Sequence, residues 1–104
     1  MPQFDVYINP VPSSRRRYPL VVMLQSDLLS ERSSQVVAPM APRRGLSDTS
    51  NRLSPVVSID DDQYVVLVTS LVTLPIRELQ KRVANLSRHR DVLLGAVDLL
   101  FYGV

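Results

Sequence analysis

Alternating apolar and polar side chains identify the first structural element near the start of the chain. In FDVYI, residues 4–8, apolar residues at positions 4, 6 and 8 alternate with Asp5 and Tyr7, which is the pattern of a strand with one buried face. LVVMLQSDLL, residues 20–29, is a longer apolar run and predicts a buried strand. QVVAPMA, residues 35–41, contains Pro39, which has no backbone donor, so this segment is expected at a sheet edge or a bulge.

Two further apolar runs flank an acidic triplet and predict a hairpin. PVVSI, residues 55–59, and YVVLVTSLVTL, residues 64–74, lie on either side of Asp60–Asp62, so we expect two long paired strands with a charged tip. NPVPSSRRRYP, residues 9–19, combines prolines and serines with three arginines and predicts an exposed basic loop without regular structure. PRRGLSDTSNRLS, residues 42–54, predicts a second loop.

The last third of the chain changes to helical periodicity. In LPIRELQKRVANLS, residues 74–87, apolar side chains recur three to four residues apart and Pro75 suits a first turn, which predicts a short helix. Ser87 is a candidate N-cap for a second helix. The apolar face of that helix comprises Leu93, Ala96 or Val97, and Leu100, and its solvent face comprises Arg88, Arg90 and Asp91. About five β segments followed by a terminal helix indicate a small antiparallel sheet or partly open barrel of the α+β class.

Composition narrows the class of protein. A chain of 104 residues with 45% hydrophobic and 21% charged residues is expected to fold as a single domain, 1–104. The absence of cysteine excludes disulfides and thiolate metal sites and fits a reducing cytosol. No apolar run approaches the ~18 residues of a membrane span, and the start lacks a signal-peptide pattern, so we expect a cytoplasmic protein without a membrane partner. The net charge of +2 does not favour direct nucleic-acid binding.

Candidate catalytic chemistry is sparse. The single histidine, His89, lies between Arg88 and Arg90 and is interpreted as a solvated surface residue. No serine occupies a G-x-S-x-G elbow, and Asp60–Asp62 lacks the spaced ligands, glycine and closing glutamate of an EF-hand. Three glycines are too few for a phosphate-binding loop. The sequence therefore predicts a protein that is not an enzyme and that has no cofactor and no metal.

Six segments in a fixed order carry a resemblance to a known family. They are QFDVY at 3–7, LQSDLL at 24–29, LSD at 46–48, RLSPVVSID at 52–60, VANLSRHRD at 83–91 and LFYGV at 100–104. Together they resemble the CcdB family of plasmid and chromosomal toxins, which poison DNA gyrase. The resemblance covers essentially the whole chain. It implies an SH3-like small β-barrel with a small inserted sheet and a C-terminal helix, assembled as a two-fold homodimer.

The resemblance also implies the sites of contact. In CcdB toxins the last three residues, here Tyr102, Gly103 and Val104, contact the gyrase A subunit. The best-known toxins have tryptophan at the position of Tyr102, and amides where this chain has Gly95 and Asp98, so a negative charge is expected near the binding end.

The resemblance further implies a toxin–antitoxin pair, in which the disordered acidic arm of a CcdA-like antitoxin binds the toxin. An exposed loop with Arg15, Arg16 and Arg17 is a candidate counter-surface for that arm.

Two alternatives from other classes remain open at this point. One is a MazF-like endoribonuclease, which shares the barrel and the dimer, although no convincing acid–base pair is present for it. The other is a non-toxic SH3-like binding module that has lost the ancestral target, which Tyr102 and Asp98 keep under consideration.

Overall fold

The computed structural model describes residues 2–26, 34–43 and 52–103. Within these ranges seven strands form one antiparallel sheet in the order β4-β5-β3-β2-β1-β7, and β6 also pairs with β3. The strands are β1 (Asp5–Ile8), β2 (Leu20–Met23), β3 (Ser34–Pro42), β4 (Val56–Ile59), β5 (Asp62–Val66), β6 (Val72–Pro75) and β7 (Arg82–Asn85). The helices are α1 (Pro12–Arg15) and α2 (Arg90–Tyr102), with short 3-10 turns at Val68–Ser70, Ile76–Glu78 and Ser87–His89.

Strand β3 is the centre of the sheet and determines its shape. One side of β3 pairs with β2, whereas on the other side residues 34–37 pair with β6 and residues 40–42 pair with β5. One long strand therefore belongs to two sets of neighbours, and the sheet curls into a half-barrel with α2 packed against it. This confirms the predicted α+β class and the small barrel with a C-terminal helix.

The prediction that Pro39 restricts its segment to an edge or a bulge is wrong, because β3 is paired on both sides. The carbonyl of Pro39 accepts a hydrogen bond from the Leu67 N–H at 2.9 Å. Since the amide nitrogen and carbonyl of a strand residue face the same neighbour, the missing donor of Pro39 lies on the same side, at the junction where β6 gives way to β5. No ladder hydrogen bond is lost there, so a central strand tolerates the proline.

Strand β1 is confirmed, but its predicted single buried face is wrong. Asp5 and Tyr7 are buried, whereas Ile8 is partly exposed. The reason is that the sheet has a core on each face. The larger core lies beneath α2 and contains Val6, Val22, Met40, Leu86 and Leu93 among others. The smaller core, which contains Tyr7, Val21, Met23, Val37, Leu74 and Leu79, covers the opposite face.

The acidic hairpin is confirmed, and its second strand is shorter than predicted. Ile59 pairs with Asp62, so the connection consists of Asp60 and Asp61, with Asp60 at a φ of 55°, which aspartate tolerates better than most residues. Strand β5 ends at Val66, and the 3-10 turn Val68–Ser70 leads to β6. The apolar run 64–74 is continuous because β5, the turn and β6 all contribute to the cores.

The helix predicted over residues 74–87 is wrong. Only Ile76–Glu78 forms a single 3-10 turn, and Arg82–Asn85 becomes β7, paired with β1. The apolar residues are spaced as in a helix, but they do not share one face. Leu79 is buried in the smaller core, whereas Val83 is exposed on the strand. Residues 82–85 instead pair with the free edge of β1 and become part of the sheet.

The prediction that the basic segment 9–19 has no regular structure is wrong in part. Pro12–Arg15 forms the short helix α1, with proline at its start. The fixed φ of proline suits the first position of a helix, where no donor is needed. The predicted end of the strand at residues 27–29 lies outside the described residues, as does most of the predicted loop at 42–54.

Helix α2 follows the prediction closely. Leu93 and Ala96 are buried, and Val97 and Leu100 pack against the same core. Ser87 is not the N-cap as predicted, since it begins the 3-10 turn and His89 occupies the cap position without a side-chain hydrogen bond. The Ser87 N–H instead donates to Asn85 Oδ1 at 2.8 Å. No helix in the described ranges is long and apolar enough to cross a membrane.

Candidate functional site

Helix α2 ends at a glycine in the left-handed backbone conformation. Gly103 has a φ of 74°, and its N–H donates to the Leu99 carbonyl at 3.0 Å. An L side chain is strained at this φ, and glycine is the usual residue at such a helix end. A Cβ added at Gly103 would meet nothing within 4 Å. The backbone conformation, rather than lack of space, therefore requires the glycine.

Two adjacent aromatic side chains are exposed where the helix ends. Phe101 is 64% exposed and Tyr102 is 77% exposed. Isolated apolar side chains are common on surfaces, but contiguous apolar patches are associated with binding. The Tyr102 ring is thus available to a partner without rearrangement of the core. Val104, the third residue of the predicted site, lies outside the described residues.

The predicted site residues on α2 lie together on its solvent side. Asp98 is exposed, one helical turn before Tyr102, and residues four apart on a helix are neighbours. Gly95, on the preceding turn, is also exposed. The structure therefore brings Tyr102, Gly103 and Asp98 to one end of the helix, and Asp98 and Tyr102 lie on the face opposite Leu93.

The predicted basic surface consists of three arginines with different surroundings. Arg15 donates from Nε to the Asn9 carbonyl at 2.7 Å and from Nη2 to the Pro10 carbonyl at 3.2 Å, so it holds the fold of its own loop. The Arg17 guanidinium lies 5.5 Å from the centre of the Tyr18 ring, within cation–π range. Arg16 and Arg17 are exposed and face solvent with their charges.

An open groove lies beside Arg15 and is lined by residues of both charge signs. It has a volume of about 340 Å³ and is lined by Ile8, Asn9, Pro10, Arg15, Glu78, Gln80 and Lys81. Lys81 lies directly beside β1, because the Ile8 N–H donates to the Lys81 carbonyl at 3.3 Å. The sequence did not indicate Lys81, because residues 74–87 were predicted to form a helix and not to pair with β1.

A buried carboxylate joins the two strands at the end of the sheet, and sequence reasoning also missed it. Asp5 Oδ1 accepts a hydrogen bond from Asn85 Nδ2 at 2.8 Å and lies 3.5 Å from Arg82 Nη1. The Asp5 side chain is 3% exposed and that of Arg82 is 56% exposed, so the amide hydrogen bond is the more protected contact. These contacts link β1 to β7 across the sheet.

Tyr7 completes this cluster, since its hydroxyl donates to Asp5 Oδ2 at 3.5 Å. Burial raises the pKa of Tyr7 above its usual 10.0; the negative charge of Asp5 and the hydrogen bond to it raise the pKa further, and the Arg82 charge opposes them in part. The cluster therefore connects β1 to β7 through buried hydrogen bonds.

His89 is not the solvated residue that the sequence indicated. The side chain is half-buried, and its Nε2 accepts a hydrogen bond from the Ser58 backbone N–H at 3.5 Å. The ring therefore connects the start of α2 to β4. Among the residues that the structure describes, no group of three or more His, Cys, Asp or Glu side chains could hold a metal ion.

Comparison with known protein families finds a match that covers nearly the whole chain. The family model described as CcdB protein matches residues 3–103, from just before β1 to the glycine that ends α2. The chain belongs to the CcdB family. The match confirms the family resemblance that the six sequence segments indicated, and CcdB proteins are toxins of toxin–antitoxin systems. The end of α2, with Tyr102 exposed and Gly103 at the C-cap, is the surface that the resemblance predicted to contact the target.

Proposed function

We propose that this CcdB-family chain is a gyrase poison that binds the gyrase A subunit through the end of α2 and traps the complex of gyrase with cleaved DNA. The observation that carries the proposal is the exposed pair Phe101 and Tyr102 followed by Gly103 at a φ of 74°. These aromatic side chains are exposed to solvent at a helix end of defined backbone conformation, and they give the chain a surface for a target.

The chemistry of the contact follows from the tyrosine ring. A guanidinium placed on an exposed ring gains about 0.5 to 2 kcal/mol from the cation–π interaction. Tyrosine is a weaker partner than tryptophan, but Asp98, one turn away, adds a carboxylate that attracts the same cation. Together the two side chains favour an arginine of the target over an uncharged residue.

The active form in this proposal is a two-fold homodimer. Both helix ends then engage a two-fold target simultaneously, and the second contact becomes intramolecular once the first has formed. The gain is avidity without new contacts. The toxin acts by occupying its target, in the bacterial cytoplasm, and not by catalysis.

A substitution at Gly103 tests the binding end. Gly103→Glu should abolish growth arrest and gyrase binding while the far-ultraviolet circular dichroism spectrum stays unchanged. Gly103→Ala is the matched control, because it imposes the same backbone strain without the charge or bulk and should retain more activity. If Gly103→Glu still arrested growth at equal expression, the helix end would not be the contact site. RNA cleavage mapped by primer extension would then point to a MazF-like activity.

Neutralisation is proposed to come from the acidic arm of a CcdA-like antitoxin bound to the loop with Arg15, Arg16 and Arg17. Arg16 and Arg17 supply the exposed charge, and Lys81 adds a cation in the groove, which Glu78 also lines. Electrostatic complementarity of this kind guides an acidic chain to its site and makes the affinity depend on salt.

The antitoxin site is tested by calorimetry with the cognate antitoxin. Replacing Arg16 and Arg17 by alanine should weaken antitoxin binding and leave gyrase inhibition unchanged. Extending the change to Arg15 should weaken binding further and also lower the thermal stability, since that side chain holds its own loop. Unchanged antitoxin affinity in the triple variant would reject this surface.

A further inference from the structure

One end of the sheet is an open edge. Strand β7 comes last in the strand order, and β1 is its only neighbour among the residues that the structure describes. Strand β4, at the other end, differs because its Ser58 N–H donates to His89 Nε2 at 3.5 Å. An unpaired edge presents N–H and C=O groups with which a further strand can pair. The outer side of β7 is therefore the end of the sheet at which a strand can be added.

Two residues of β7 direct their backbone groups away from β1. The Lys81 carbonyl accepts a hydrogen bond from the last residue of β1 at 3.3 Å, so Lys81 faces β1. The Leu86 N–H donates to the Phe4 carbonyl, just before β1, at 2.8 Å, so Leu86 faces the same way. Consecutive strand residues direct their hydrogen-bonding groups to opposite sides. Arg82, after Lys81, and Asn85, before Leu86, therefore face outward.

A β-bulge adds an exposed apolar side chain at the same edge. Val6 pairs with Ala84, and the next residue of β1 pairs with Arg82. Val83 is therefore the extra residue of the bulge, without a partner on β1. Its side chain is 43% exposed, so it is available for an apolar contact with an added strand.

The charges along this edge are basic. Arg77, Lys81 and Arg82 are all exposed. In the part of the chain that the structure describes, the one ion pair joins Arg82 to Asp5, so Arg77 and Lys81 have no carboxylate within bonding distance. Cationic side chains along an edge oppose pairing with a second copy of the same edge. The same charges attract an acidic chain.

The groove beside Arg15 continues the edge. Gln80 and Lys81, which precede β7, line the groove together with Ile8, the last residue of β1. Ile8 is 37% exposed and offers an apolar contact there. Glu78 also lines the groove, so the acidic residues of a partner are expected beside β7 and not at Glu78. An added strand that follows β7 therefore enters the groove at its end.

We propose that the outer edge of β7 is a docking site for an extended acidic segment of a partner protein, which adds to the sheet as a further strand. Hydrogen bonds to the backbone of Arg82 and Asn85 supply the affinity, as in other cases of strand addition. The cations of Arg77 and Lys81 select an acidic sequence. The inference goes beyond the proposed function, and a failure to poison gyrase would leave it unaffected.

The probe for the test is a short synthetic peptide of alternating glutamate and valine, added to the purified toxin. Binding should slow hydrogen exchange at the Arg82 and Asn85 amides, measured by nuclear magnetic resonance, because these groups become paired. The same peptide with N-methylated backbone amides should not bind, since it has no donors for the edge. A peptide with glutamine in place of glutamate should bind more weakly.

Charge variants of the toxin test the selection of an acidic sequence. Replacing both Arg77 and Lys81 by glutamine should weaken binding of the peptide by about fivefold, because two exposed ionic contacts are lost. Arg43→Gln is the matched control. Arg43 is exposed and donates to Gln63 of β5, towards the other end of the sheet, so its removal should leave the affinity for the peptide unchanged.

Failure of the peptide to bind, or binding without slower exchange at Arg82 and Asn85, would overturn the inference. If alanine at Arg16 and Arg17 abolished binding of the peptide while the variant at Arg77 and Lys81 retained it, the acidic segment would bind the basic loop. The inference would then be wrong and the proposed antitoxin surface would stand. Exchange that slowed with rising toxin concentration, without peptide, would assign the edge to a second copy and would also contradict the inference.

Discussion

Replacing Leu93 by alanine tests how α2 is held in place. Leu93 is fully buried in the core beneath the helix, where it anchors the central turn. The substitution removes the isopropyl part of the side chain, which loses about 0.8 kcal/mol of transfer free energy for each buried carbon and leaves a cavity. We expect a loss of about 2 to 5 kcal/mol, a large fraction of the stability of a domain of this size.

The assay is equilibrium unfolding in urea at one fixed protein concentration, because dimerisation would make the stability depend on concentration. Val92→Ala is the control on the same helix. Val92 is 49% exposed, so its truncation should change the free energy of unfolding by less than about 0.5 kcal/mol. Equal losses in the two variants, or a loss below about 1 kcal/mol for Leu93→Ala, would refute the packing of α2 described above.

Three substitutions in the cluster around Asp5 give further predictions. Because the pKa of Tyr7 is raised above 10.0, the folded state favours the neutral phenol; its contribution to stability is complete below pH 10 and is lost as the pH rises through the folded pKa. Tyr7→Phe should therefore flatten the fall of melting temperature with pH above this point, and an unchanged slope would contradict the assignment. Asp5→Ala should cost about 1 to 3 kcal/mol in urea unfolding, because Asn85 and Tyr7 lose a buried acceptor. Arg82→Ala should cost less than about 1 kcal/mol, since that side chain is largely solvated, and the opposite order would show that the ion pair dominates.

The elements that the sequence predicted well are those whose pattern is determined locally. Helix α2 has a regular apolar face, and the hairpin has an acidic turn between two β-rich runs, so both follow from neighbouring residues. The end of the helix could also be predicted, because the family resemblance draws attention to the aromatic residue that precedes a glycine there.

The elements that the sequence did not predict depend on distant partners. Pro39 lies in a central strand only because β6 and β5 meet beside it, and a local pattern carries no information about that junction. Residues 82–85 form a strand because the edge of β1 is available, although their apolar spacing resembles a helix. The contacts of Asp5 with Arg82 and Asn85, and the place of Lys81 in the groove, depend on this same pairing.

The central claim is that the end of α2 makes this chain a gyrase poison. The most direct measurement is the formation of cleaved DNA by purified gyrase in the presence of the purified toxin, compared with a variant that lacks residues 102–104. We predict that the intact toxin traps double-strand breaks and that the shortened toxin, folded to the same extent, does not. Breaks that persisted without these residues, or no effect of the intact toxin on gyrase, would contradict the claim.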